Sequence, residues 1–187
     1  RSILRHDPDV LMIGEIRDAE TLDVAIKASL TGHLVLSTLH TNSAAGVVTR
    51  LADMGAQRFL LAATLRLCVA QRLVRRLCRQ DGCRVEQTLT EAQAAALGQA
   101  ELAGRTVYAP GGCLYCEGHG YSGRMGLFEL MPVNTPLVER IAAGAGEEEL
   151  DRLRREQGRL SLRDDATEKL LAGQIAFADA MEAVETF

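Results

Sequence analysis

The sequence predicts an α/β fold with a parallel sheet in its first part, followed by a cysteine-bearing excursion and a helical end. Two observations carry this reading. Short apolar runs at Val10–Ile13 and Leu34–Leu39 flank a segment with helical periodicity, and that order is the signature of a βαβ unit. From Cys78 onward the character changes, with two close cysteine pairs and a glycine-dense stretch ahead of segments of helical spacing.

Val10 to Ile13, closed by Gly14 and Glu15, suits a strand buried on both faces. Asp18 is placed to cap the helix that follows, where Leu22, Ala25, Ile26, Ser29 and Leu30 share one face and Gly32 ends the pattern. A helical crossover between the two runs makes them parallel and right-handed. Ser43 opens a second helix with a stripe of Ala44, Val47, Val48 and Leu51 that stops at Gly55, and the apolar spacing from about Gln57 to Leu77 predicts a third. Within it Arg72, Arg75 and Arg76, with Arg79 just beyond, fall at i, i+3, i+4 and i+7 and would form one basic helical face, solvated or turned to a neighbouring subunit or to membrane-anchored partners. The stretch from Leu89 to Leu102 is alanine-rich and helical, Gly111 to Gly126 is dense in glycine, and helices alone are expected after it, at Pro136–Ala143, Glu147–Glu156 and Ser161–Leu171.

Composition excludes several classes. The 187 residues are 47% apolar and 25% charged, and 21 Lys plus Arg against 25 Asp plus Glu give a net charge of -4. No nucleic-acid partner is implied by that balance. The span from Ala28 to Thr49 has no charged residue, but its Ser, Thr, His and Asn side chains exclude a membrane span there. Arg1 to Asp9 does not read as a secretory signal, and the chain, opening on Arg, reads as a piece of something longer.

Five cysteines argue against a purely disulfide framework. Cys78/Cys83 and Cys113/Cys116 form two close pairs separated by 29 residues, a spacing that suits four thiolates around one structural Zn²⁺ in a reducing compartment. The four residues between Cys78 and Cys83 make a wider turn than usual, and His119 stands near as an alternative ligand. Cys68, between Leu67 and Val69, reads as a core residue on a helix.

Ligands of open α/β sheets bind beyond the carboxyl ends of the strands. Glu15 follows the first strand, and His40, Thr41 and Asn42 follow the second, so a parallel pairing brings Glu15 and His40 to one edge. A carboxylate there is the usual residue that orients water or Mg²⁺ in phosphoryl transfer; its alternative is a simple ion pair with Arg17. His33 and His40 are seven residues apart, roughly 23 Å along an extended strand, too far to share one metal.

Leu4 to Asp18 (LRHDPDVLMIGEIRD) and Leu30 to Asn42 (LTGHLVLSTLHTN) resemble the Walker B region and histidine box of the type II secretion and type IV pilus family of hexameric ATPases. The resemblance continues through TRLADMG (49–55), AQRLVRRLC (70–78) and GYSGRMGLFEL (120–130), and the paired cysteines are similar to the zinc-binding insertion of its secretion and pilus-extension branches. It implies a RecA-like P-loop NTPase half at 1–77, a tetracysteine subdomain at 78–119, and a strand with a helical subdomain at 120–187. Further, it implies ATP and Mg²⁺ as cofactors, Glu15 as the catalytic glutamate, and His33 and His40 as the histidine-box pair, His40 sensing the γ-phosphate. A homo-hexamer working on inner-membrane platform proteins from the cytoplasmic face is the implied assembly. SLRDD (161–165) is closer to the secretion branch than to pilus extension. One part of the family pattern is missing from the sequence: Lys27 and Lys169, its only lysines, do not follow a glycine, so no phosphate loop is present. By itself the chain is expected to be inactive, and a degenerate zinc-bearing docking module is the alternative from another class.

Overall fold

A computed structural model describes residues 8–185. The first residues of the LRHDPDVLMIGEIRD stretch, Leu4 to Asp7, lie outside them. In chain order the elements are β1 (Val10–Ile13), α1 (Ala19–Leu30), β2 (Leu34–Ser37), α2 (Gly46–Asp53), α3 (Arg58–Thr64), β3 (Leu67–Leu77), β4 (Arg84–Thr88), α4 (Glu91–Ala96), β5 (Thr106–Pro110), β6 (Tyr121–Pro132), α5 (Thr135–Ala142), α6 (Glu147–Glu156), α7 (Leu162–Leu171) and α8 (Phe177–Glu185). They fall into two units, one of the residues up to Ala70 with Leu130–Arg159, the other of Gln71–Glu129 with the residues from Leu160. β3 and β6 pair with each other, and the chain passes between units within these two strands.

The first unit holds the βαβ element. β1 and β2 are parallel, Val10 opposite Leu34 and Ile13 opposite Ser37. Asp18 caps α1 by accepting the Thr21 amide at 2.8 Å, and Gly32, at φ +101, makes the left-handed exit that lets β2 begin. Leu22, Ala25, Ile26 and Ala28 bury the inner face of α1, which packs on β2 and α3, and α3 packs in turn on α5. Burying a leucine such as Leu61 or Leu137 contributes about 2 kcal/mol. β1 departs from the expectation of burial on both faces: Leu11 is buried while Met12 is 78% exposed. Among the described residues a helix covers only one face of this pair, so the strand alternates.

The second unit is built on the antiparallel β4–β5 hairpin, with α7 and α8 against β5. This hairpin and α8 were not expected from the sequence, although a helix, α4, does form between the cysteine pairs, with Thr90 and Gln93 closing a capping box. Asp179 on α8 is buried, accepting from Arg75 Nε at 2.7 Å and from the Tyr121 hydroxyl at 3.0 Å, and the Arg75 guanidinium lies over the Tyr121 ring.

Four further expectations are corrected. The helix predicted from Gln57 to Leu77 stops at Thr64; Leu65 turns extended, and residues 67–77 form a strand. Cys68, Ala70 and Val74 point inward at period 2, and this alternation, not the 3.6-residue spacing, is the one tertiary packing selects. Cys68 is therefore buried on a strand, not a helix. The arginines do not share a face: Arg75 lies on the exposed side of β3, Arg72 and Arg76 on the other, and Arg79 beyond its end. Helices do not follow the glycine-dense stretch directly, since β6 continues to Pro132. The expected α5, α6 and α7 are present, Ser161 and Asp164 closing a capping box on α7. Among the described residues no helix is long and apolar enough to cross a membrane.

Candidate functional site

Two clusters stand out, one in each unit. In the first unit the parallel register sends the chain out of β1 and β2 on the same side. Thr38 Oγ1 donates to the Gly14 carbonyl at 2.6 Å, and the Ile16 amide donates to the Thr38 carbonyl at 3.0 Å, lacing the two exits together. That lacing sets Glu15 Oε1 at 2.9 Å from His40 Nε2. The other carboxylate oxygen accepts from Arg17, Nε at 2.6 Å and Nη2 at 2.5 Å. The hydrogen bond from Arg17, against some desolvation and with the charges of Arg17 and His40, holds the Glu15 carboxyl below its usual 4.5. Glu15 thus stays an ionised acceptor. Its side chain is 20% exposed whereas that of His40 is 89% exposed, so the imidazole projects from a shielded carboxylate into open space.

His33 is not part of this edge. It precedes β2, at the opposite end of the strand pair, where Nδ1 lies 3.0 Å from the Ala28 carbonyl and 3.0 Å from Thr31 Oγ1, close to the carboxyl terminus of α1. The structure brings Glu15 and His40 together and leaves His33 at the helix end.

Downstream of His40 the chain is fixed by a contact that the sequence did not signal. Ser43 Oγ donates to Glu147 Oε1, on the first residue of α6, at 2.5 Å and accepts the Gly46 amide at 2.9 Å. A separation of 104 residues gives no pattern to read.

In the second unit the four paired cysteines converge. The Sγ atoms of Cys78, Cys83, Cys113 and Cys116 all lie within 4.8 Å of one another. Cys83 to Cys116 and Cys113 to Cys116 are each 3.6 Å, and Cys78 to Cys113 is 3.9 Å. A Zn²⁺ with thiolate arms of 2.3 Å spaces its sulfurs about 3.8 Å apart, so the set fits a tetrahedral ion. The wide Cys78/Cys83 turn is closed by the Cys83 amide on the Gln80 carbonyl and by Gly82 at φ +71. Exposed His119 is not in the cluster. Burial would raise the Cys116 thiol, yet the amides of Cys113 and Gly120, each 3.2 Å from its sulfur, and the neighbouring thiols bring it down to about 6. Desolvation, then the bond with Cys113, pushes Cys83 up to about 12. Ionised together, four sulfurs this close would need a cation to share their charge.

Comparison with known proteins gives this geometry a setting. The family model described as "Type II/IV secretion system protein" matches residues 1–182. The chain is 48% identical over 97% of its length to the "Putative type II secretion system protein E" of Escherichia coli (strain K12), of which it covers 36%. It is 42% identical over 92% of its length to the "Type IV pilus assembly ATPase PilB" of Thermus thermophilus, covering 20% of that protein. Among solved structures, the Legionella pneumophila ATPase DotB superposes with a TM-score of 0.67 at 23% identity, across 100% of this chain and 41% of that one. The expected α/β fold is thus shared with part of that structure, and the chain spans about a third of the length of the first curated relatives it matches.

Proposed function

Since the chain belongs to the Type II/IV secretion system protein family, we propose that it supplies the Walker B and histidine-box half of a motor ATPase that powers protein export by type II secretion. The observation that carries this reading is the 2.9 Å pairing of Glu15 with His40 at the carboxyl ends of two parallel strands. Phosphoryl transfer leaves a protein little covalent chemistry to do, so positioning and charge stabilisation supply most of the rate. Glu15, kept ionised by Arg17, orients the attacking water or accepts its proton. His40, projecting from the shielded carboxylate, is the group free to meet a terminal phosphate. His33, although the resemblance pairs it with His40, stands at the far end of β2 and acts there on the end of α1. ATP and Mg²⁺ are the implied cofactors, and a phosphate loop from a longer chain is needed to cradle them.

Cys78, Cys83, Cys113 and Cys116 would hold a Zn²⁺ whose closed, four-thiolate coordination makes it structural. The same reading takes the working form as a homo-hexamer at the cytoplasmic face of the inner membrane, pushing on platform proteins. The domain division 1–77, 78–119 and 120–187 belongs to this proposal. Pilus extension is the second reading, favoured by the 42% identity to the Thermus protein. The test is made in the longer protein that carries both this chain and a phosphate loop. Glu15→Gln should bind nucleotide normally and hydrolyse it roughly 100-fold more slowly, the usual loss with a positioned general base. A near-normal rate removes Glu15 from the mechanism, and a longer protein without any phosphate loop would favour a non-catalytic docking module.

A further inference from the structure

The loop carrying His40 is held at its two ends by different parts of the first unit. Its upstream end is laced to the Glu15 turn through Thr38, with its hydroxyl on the Gly14 carbonyl and its carbonyl accepting the Ile16 amide. Its downstream end is Ser43, whose hydroxyl both caps the start of α2 through the Gly46 amide and donates to Glu147 of α6. Between these anchors the His40 side chain is 89% exposed, with Glu15 as the partner that orients it.

The Ser43 anchor is built for closeness. A Cβ on Gly46 would stand 3.0 Å from Ser43 Oγ and 3.1 Å from Glu147 Oε1, tighter than most side chains approach, so a larger residue there would push the hydroxyl or the carboxylate aside by a few tenths of an ångström. Helices α2 and α6 pack against each other at this point, the turn leading into α6 is held by Arg58 of α3 on the Ala145 carbonyl, and α6 itself pairs Glu149 with Arg140 of α5. A displacement of the first turn of α6 would be delivered to Ser43.

We infer that Glu147 is a positioning residue: through Ser43 it sets the downstream end of the His40 loop and so keeps the imidazole against Glu15. This rests on the ATPase reading and adds to it a route by which the α5–α6 region governs turnover without touching nucleotide. Catalytic groups displaced by an ångström lose large factors in rate while substrate binding through other contacts persists.

The experiment uses the longer protein with its phosphate loop. Glu147→Ala should lower kcat roughly tenfold with KM within about twofold, and Ser43→Ala should do the same. Glu147→Gln keeps a carbonyl oxygen that accepts the Ser43 hydroxyl and should recover most of the rate. The double variant should be no slower than either single one, because both remove one contact. Glu148→Ala, which deletes an equivalent exposed charge from the same helix turn, should behave as the parent does. Hydrogen exchange supplies a readout independent of hydrolysis: amides at 38–46 should exchange faster in Glu147→Ala and not in Glu147→Gln. Unchanged exchange in Glu147→Ala, a Gln variant as slow as the Ala variant, or additive losses in the double variant would overturn the inference. If the parent protein does not hydrolyse ATP but exchange at 38–46 still responds, the ATPase reading fails and the positioning contact stands.

Discussion

The Glu15/His40 edge and the four-cysteine cluster are both small constellations of reactive side chains, yet they are opposite kinds of site. At the edge, the carboxylate is shielded but its imidazole partner is 89% exposed, and the surrounding strands leave Val10, Met12, Leu34 and Leu36 half or more exposed. In the cluster, Cys78 and Cys83 are fully buried and Cys116 nearly so, with backbone amides on the sulfur of Cys116. The cluster brings all four thiols together within its own chain segment and would be completed by one ion. On the proposed reading the edge is half of a site, completed by a phosphate loop elsewhere in a longer chain. Removing a member of the cluster should cost structure, and removing a member of the edge should cost rate.

The sharpest way to break this contrast is at the metal. Metal binding to such a cluster is folding free energy, on the order of 10 kcal/mol for structural Zn²⁺ sites. Purified, reduced protein should contain about one zinc per chain, and Cys113→Ser or Cys116→Ser should abolish it. The segment between Cys78 and Cys116 should then become protease-sensitive while the Glu15/His40 region stays protected. Zinc-free protein that resists proteolysis in this segment would mean that apolar packing holds the excursion and the metal assignment is wrong. Glu15→Gln is the counterpart: its melting temperature should match the parent's within about 2 °C, because a partly exposed ion pair contributes little to stability.

The fifth cysteine sharpens the comparison on the side of the cysteines. Cys68 is buried on β3, and desolvation alone pushes its thiol up to about 12. At pH 8 it carries almost no thiolate and should be inert. Alkylation of the chelator-treated native protein, followed by peptide mass analysis, should label Cys78, Cys83, Cys113 and Cys116 and spare Cys68. Rapid labelling of Cys68 would show that β3 opens when the metal leaves.

How much of each region could be read beforehand follows from the range over which its residues communicate. The cysteine pairs are local, two and four residues wide, and needed only one long closure, so the ligand set was legible from spacing. Glu15 and His40 were legible because a βαβ unit obliges parallel strands to end on one side. β3 was not: LCVAQRLVRRL satisfies a helical and a strand period at once, and the choice is made by what Cys68, Ala70 and Val74 pack against. Nor was the β4–β5 hairpin, every residue of whose first strand is exposed and therefore carries no inward–outward pattern. The Ser43–Glu147 contact joins two helix starts 104 residues apart, and each residue is fully explained locally as a helix opener. Contacts of that kind have no sequence signature until the fold is known.

The smallest expected effect lies at the edge and concerns one proton. Arg17 donates two hydrogen bonds to Glu15 Oε2, and this, more than the charge of Arg17 or the proximity of His40, holds the carboxyl below 4.5. A group whose folded pKa is depressed stabilises the fold above its ordinary value, and that contribution is lost as pH falls through the lower, folded value. The window is therefore on the acid side of pH 4.5, and solvent screening of Arg17, 75% exposed, keeps the contribution to stability small. In the parent protein the Glu15 side-chain carboxyl, followed by its carbon resonance, should titrate below 4.5; in Arg17→Gln it should move up toward it. The melting temperature at neutral pH should hardly change. If the midpoint stays where it was, Arg17 is not what keeps Glu15 ionised, and the His40 contact alone must account for a carboxylate poised to accept a proton.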